Sequence, residues 1–259
     1  MDYVDHEAVV AVYVAGSSVT GEADPHSDLD IYVLTDGQID LSWREQLIGP
    51  RLPPRYSLAP GHFGDGDAWE TDAGKFDVMF WEVSDTIENL RSILDHHVPR
   101  LGYTTAFWHT VRTWQERGRS GRSPEKLAEL EELAGRDYPD ALARAIVDHN
   151  AVLLRGVMFS LEEQLSAAQV RQDPVSIQHR TTAILASWFD IVFAVNRRTH
   201  PGEKRLLNHL KKLPSQPRDA DPMIRELVAK PDRATETCRQ LLDQLFDWLR
   251  AEGYLPSTG

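Results

Sequence analysis

The chain has 259 residues, 41% of them hydrophobic and 26% charged, with a formal net charge of −12, enough for one large or two small domains with a real core. No apolar run reaches the length needed to span a bilayer, the acidic N-terminus lacks the pattern of a secretion signal, and the single cysteine, Cys238, excludes an intrachain disulfide and a thiolate metal cluster, so a cytoplasmic location is expected. Residues 1–84 hold 16 acidic and 4 basic side chains and residues 85–259 hold 24 of each; the acidic excess lies in the first third, which repels nucleic acid and attracts cations.

Residues 1–8 read as frayed chain or a short helical turn. Val9 to Val14 is a short β-branched run stopped by Gly-Ser, the pattern of a buried strand. Gly16 lets the backbone approach a phosphate closely. Ser17 adds a hydroxyl, and a helix starting after it would add N–H donors. Ten residues later, Asp28-Leu29-Asp30 leads into a second strand, Leu29 to Leu34. Carboxylates separated by one residue on a strand share a face. Such a pair is costly unless a cation sits between them, and hard oxygen donors suit Mg²⁺ completed by water and phosphate. A helix is expected over Ser42 to Ile48, loops over 49–54 and 60–66, and a brief strand over 55–58. The Gly/Asp-rich stretch 61–74 reads as a hairpin or active-site loop. Lys75 to Trp81 is a third apolar strand with Asp77 in it.

After Glu82 the periodicity becomes helical. Helices are expected from Ser84 to about His97 and from Thr104 or Thr105 to Trp114. Residues 115–124 read as a loop, and Pro124 opens a third helix. Tyr138 to about Ala168 reads as one long amphipathic helix with Leu142, Ala145, Ile146, Val152, Leu153, Gly156, Val157 and Ser160 on one face. His149 and Glu163 fall on that face, as a core histidine or as contacts for a substrate amine or hydroxyl. The helix from Pro174 to about Arg198 buries Asp190, which needs either a partner such as Arg180 or Arg197 or a place at the active cleft. Between Arg197 and Lys212 stand six basic residues and one acidic one, with Lys204, Asn208 and Lys211 at helical spacing. Residues 214–222 are a linker, and helices over about 222–229 and 232–252 close the chain. There is no Walker-type phosphate loop and no nucleophile elbow. His96-His97 reads as a helix end rather than a zinc site.

Gly16-Ser17, Asp28-x-Asp30 and a third carboxylate, Asp77, on a following strand together resemble the signature of the polymerase-β-type nucleotidyltransferase superfamily. The 196–213 segment resembles a stretch in bacterial relatives whose catalytic domain is followed by a helical one. The resemblance implies an α+β fold, with a catalytic mixed sheet over residues 1–83 and a helical bundle over 84–259 closing on it. It implies an enzyme that moves a nucleoside monophosphate from a nucleoside triphosphate, ATP being expected, to an acceptor hydroxyl with release of pyrophosphate. Two Mg²⁺ ions would be held by Asp28, Asp30 and Asp77. Gly16, Ser17 and Lys204 would hold the phosphates, with Glu163, His149 and Asp190 as candidate substrate contacts. The expected acceptor is a small molecule of the aminoglycoside-antibiotic type. A protein- or tRNA-modifying enzyme of toxin–antitoxin type and a silent nucleotide- or partner-binding protein stay open. No membrane partner is expected, and the sequence leaves the oligomeric state open.

Overall fold

The seven residues Val9–Ala15 are all buried, and this run without alternation is what a strand covered on both faces requires. It is β1 of a computed structural model that describes residues 3–16, 19, 28–48, 55–61, 64–72 and 74–256. The chain divides into two compact units, Met1–Arg91 with Thr110–Arg136, and Ser92–His109 with Asp137–Gly259. Among the described residues no helix is long and apolar enough to cross a membrane.

In the first unit β1 is followed by β2 (Leu29–Thr35), α1 (Leu41–Ile48), β3 (Tyr56–Gly61), β4 (Gly64–Thr71) and β5 (Gly74–Glu82). Then come α2 (Val83–Leu94) and α3 (Ala106–Arg112), each divided between the two units, and, in the first unit, β6 (Gln115–Arg119) and α4 (Pro124–Gly135). The six strands make one sheet in the order β3-β4-β5-β2-β1-β6. β2 and β5 run parallel, and the neighbours on either side are antiparallel. One face packs Tyr3, Val9, Val12, Val33, Trp69 and Val78 into a core. Tyr3 sits, buried, in a 3-10 turn, Tyr3–Asp5, the short helical turn of the two expectations for this segment. Below the sheet the Arg44 guanidinium of α1 meets the Asp67 carboxylate of β4 at 3.1 Å, both buried, and lies 4.8 Å from the Phe80 ring centroid.

Two expectations for this unit are corrected. Residues 60–61 and 64–66 are strand rather than loop: β3 runs to Gly61, β4 starts at Gly64, and the two pair antiparallel, as the hairpin reading of the 61–74 stretch has it. Residues 115–119 are an edge strand on β1, with Tyr13 opposite Glu116 and Ala11 opposite Arg119. This edge is almost wholly polar and exposed, so it lacks the apolar alternation by which a strand is read; backbone pairing to β1 decides its conformation. Through β6 and α4 the first unit regains residues 110–136, beyond the 83/84 division read from the sequence.

The second unit is helical: α5 (Asp140–Leu154), α6 (Leu161–Val170), α7 (Pro174–Val195), α8 (Leu206–Leu210), α9 (Ala220–Ala229) and α10 (Ala234–Ala251). Its core gathers Leu154, Leu165, Trp188, Ile191, Val192, Leu241 and Leu245 from four of them. The expected single helix over 138–168 is two helices. Ser160 caps the second, its Oγ accepting from the Glu163 N–H at 3.4 Å, and the Glu163 carboxylate accepts from the Phe159 N–H at 2.7 Å. Ser-x-x-Glu is a capping signal that the long apolar periodicity hid. The buried face of α5 is Leu142, Ala143, Ile146, Val147, Asn150, Ala151 and Leu154, rotated from the expected one, and Val152 and Val157 are exposed.

Candidate functional site

The site is a row of side chains across the sheet. Asp30 on β2 is the register partner of Ala15 on β1 and of Asp77 on β5. Asp77 is opposite Ala68 on β4, and Ala68 is opposite Ser57 on β3. Register partners share a face, so Asp30, Asp77, Ala68 and Ser57 form one continuous line. Asp28, exposed just before β2, lies on the Asp30 face by strand alternation.

Gly16 ends β1 beside this line with φ +81°. A Cβ built on it would lie 2.1 Å from Asp30 Oδ2, so any other residue would displace the carboxylate. The glycine therefore serves two needs, a left-handed backbone and room for Asp30. Ser17 lies outside the described residues.

Charge is concentrated here. The Asp77 carboxyl is raised above the ordinary range, first by partial desolvation and then by the charge of Asp28. Tyr32, two residues beyond Asp30 on the same face, has its phenol pushed up by burial and then by Asp30 and Asp77. Tyr32 meets Trp81 edge-on at 4.8 Å and Trp114 at 5.1 Å, and Trp114 stacks on Tyr13 at 4.9 Å. These aromatic rings pack together on the face that carries Asp30 and Asp77, whereas Asp28, Asp77, Ala68 and Ser57 are exposed.

Among the described residues no three His, Cys, Asp or Glu side chains are already drawn together as a closed metal cluster. The donor set nevertheless fits a hard cation. Asp28, Asp30 and Asp77 are oxygen donors on one face, Gly16 leaves Asp30 its space, and a cation would relieve the repulsion that Asp28 adds at Asp77.

Beyond Asp77 the line opens into a cavity of about 380 Å³ on the hairpin side of the sheet, with Asp28 and Asp77 in its wall. Ala68 and Ser57 are small, and that is why the surface dips there. Arg55, Glu70 and Lys75 line it further along the strands. These residues were not singled out from the sequence; the alternation Lys75-x-Asp77 was the available signal.

The other candidates lie in the second unit. Lys204 is exposed in the turn before α8, a helix of five residues, so the expected helical alignment with Asn208 and Lys211 does not form. Lys211 pairs with Asp221 at 3.0 Å. His149 is exposed beside the buried Asn150. Glu163 is exposed and engaged as a helix cap. Asp190 is buried without the expected arginine. It accepts from the Thr104 N–H at 3.0 Å, the Thr104 hydroxyl at 2.7 Å and Asn150 Nδ2 at 3.3 Å. Arg197 instead meets Asp140 at 2.7 Å. Burial drives the Asp190 carboxyl up to about 7 against these bonds.

Residues 2–99 match the family model described as nucleotidyltransferase domain. No curated protein matches the chain. Among solved structures it is similar to a nucleotidyltransferase-like protein from Exiguobacterium sibiricum 255-15, with 11% identity over 97% of this chain and 72% of that one and a TM-score of 0.45. It is also similar to spectinomycin adenyltransferase AAD(9) from Enterococcus faecialis, solved with ATP and spectinomycin, with 14% identity over 94% of each chain and a TM-score of 0.32.

Proposed function

We propose that the nucleotidyltransferase domain of residues 2–99 moves a nucleoside monophosphate from a triphosphate, ATP in the first instance, to the hydroxyl of a small molecule. The observation that carries this reading is the register pairing of Asp30 with Asp77 beside the exposed Asp28 and the constrained Gly16. In the proposed roles Asp28 and Asp30 hold Mg²⁺, two ions in all, and Asp77 completes the set. Mg²⁺ held there would supply charge neutralisation for the reacting phosphate. Gly16 and Ser17 take the phosphates against backbone N–H groups, and Lys204 is the proposed ammonium for the β- or γ-phosphate.

The acceptor oxygen attacks the α-phosphorus and forms the new P–O bond, and Asp77 takes its proton. The bridging P–O bond to the β-phosphate breaks, and pyrophosphate leaves with the electron pair. Most of the rate then comes from positioning and fixed charge rather than from a covalent protein intermediate. The acidic balance of residues 1–84 by itself suggests an aminoglycoside-type antibiotic as acceptor, whereas the lining of the cavity beside Asp77, with Lys75 and Arg55 in it, favours an anionic one. Glu163, His149 and Asp190 remain candidate substrate contacts, though their surroundings also give Glu163 and Asp190 structural work.

The test is calorimetric titration of the full chain with ATP and Mg²⁺, together with pyrophosphate release over a panel of hydroxyl compounds. Wild type should bind ATP only with the metal, and Asp28→Asn with Asp30→Asn should abolish binding. Unchanged binding in the double variant would sink the site, and metal-independent binding without turnover would leave a silent nucleotide-binding protein.

A further inference from the structure

The cavity beyond Asp77 has a lining that selects. Its floor continues the catalytic row through Ala68 and Ser57, register partners on β4 and β3. Gly16 lies on the β1 side of Asp30, and the cavity lies on the β5–β4–β3 side. A triphosphate cradled at Gly16 therefore leaves the cavity, with Asp77 at its edge, to the molecule whose hydroxyl loses its proton.

The charged groups can be assigned one by one. Asp28 and Asp77 answer to the metal. Glu70, the register partner of Lys75, has its carboxylate on Arg55 at 2.8 Å. Lys75 makes no ion pair among the described residues. It lies two residues from Asp77 on the same face of β5, a backbone spacing of about 7 Å. Tyr56, the register partner of Trp69, borders the cavity from the neighbouring position on β3.

We infer that this cavity is the acceptor subsite and that Lys75 selects an acceptor carrying an anionic group, such as a phosphate or carboxylate, close to its reactive hydroxyl. The body of the acceptor lies over Ala68 and Ser57, its hydroxyl points to Asp77, and its anion meets the Lys75 ammonium. A polycation would bring like charge to Lys75 and Arg55. The inference rests on the nucleotidyl-transfer reading, because that reading is what places the metal on Asp28 and Asp77.

The test uses the full chain saturated with Mg²⁺ and the non-hydrolysable ATP analogue AMPCPP, titrated with glycerol 3-phosphate as the anionic hydroxyl probe and kanamycin as the polycationic one. Glycerol 3-phosphate should bind more tightly than kanamycin. Lys75→Ala should weaken glycerol 3-phosphate at least tenfold and AMPCPP hardly at all, and Lys75→Glu should shift the preference toward kanamycin. Ala68→Phe, which fills the floor, should block glycerol 3-phosphate while AMPCPP still binds. If AMPCPP loses affinity in Lys75→Ala while glycerol 3-phosphate does not, the anion at Lys75 belongs to the nucleotide and the acceptor assignment is overturned. Tighter binding of kanamycin, or no binding of glycerol 3-phosphate to a protein that binds AMPCPP, also overturns it. Failure of AMPCPP itself to bind with Mg²⁺ removes the nucleotidyl-transfer reading and this inference with it.

Discussion

Asp30 and Asp77 face each other across the parallel β2–β5 pairing, where neighbouring strands run about 4.8 Å apart. Two carboxylates at that spacing, with Asp28 adding to the charge on Asp77, favour a cation between them. Asp30→Asn should therefore remove most of the rise in melting temperature that Mg²⁺ and ATP together give the wild type. A melt with and without Mg²⁺ and ATP checks it; an undiminished rise would take Asp30 out of the site.

Asp77→Asn separates proton transfer from binding. Loss of a general base costs on the order of 10²-fold in turnover, so kcat should fall by about that much. ATP affinity should fall less, because Asp28 and Asp30 remain. Near-normal turnover would send the search for the base to Glu82.

Gly16→Ala is the sharpest steric test. The added Cβ would meet Asp30 Oδ2 at 2.1 Å in a residue whose φ is +81°. The left-handed backbone alone costs an alanine about 1 kcal/mol, and Asp30 must move as well. Triphosphate binding should be lost with only a modest drop in the melting temperature. Full binding would show that the loop tolerates a side chain there.

For Lys204 the contrast is with Lys211, which is already paired to Asp221. A charge-assisted contact to phosphate is worth roughly 1.5–3 kcal/mol, about a 10- to 150-fold affinity effect. Lys204→Ala should weaken ATP by that order and spare AMP, whereas Lys211→Ala should change neither. Equal behaviour of the two variants would return Lys204 to a solvated turn.

The second unit carries its own pH dependence. Burial lifts Asp190 from 3.8 to about 7 in the folded chain. A carboxyl raised on folding gives stability that is fully present below its unfolded value and is lost as pH rises through the folded one. Chemical denaturation between pH 4 and 7 should show stability falling over that window, and Asp190→Asn should flatten the fall. An identical slope in the variant would assign it to another group, with the buried His200, depressed to about 3, pulling the opposite way.

The sequence made the catalytic strands legible because β1, β2 and β5 are buried on at least one face and carry continuous apolar runs around the acidic residues. Asp28, Asp30, Asp77 and Gly16 stand out against that background. What it hid was structure decided by backbone pairing or local capping. β6 is a polar edge with no hydrophobic period, and the Ser160–Glu163 cap interrupts a helix whose apolar pattern runs on. Lys75 and Ala68 have meaning only through register, since neither sits in a motif; their neighbours across the sheet are far away in sequence.

The return of residues 115–119 to the edge of β1 bears on what can be cut from this chain. A fragment ending at residue 99, the limit of the family match, would lack β6 and α4. The outer side of β1 would then offer unpaired N–H and C=O groups along a strand of seven buried apolar residues. The contact that α4 makes to the end of β2, with Ser123 and Lys126 on Asp36 at 2.6 and 2.8 Å, would go too. Such an edge recruits other strands, so the fragment should self-associate, and a soluble catalytic piece must extend through Arg136.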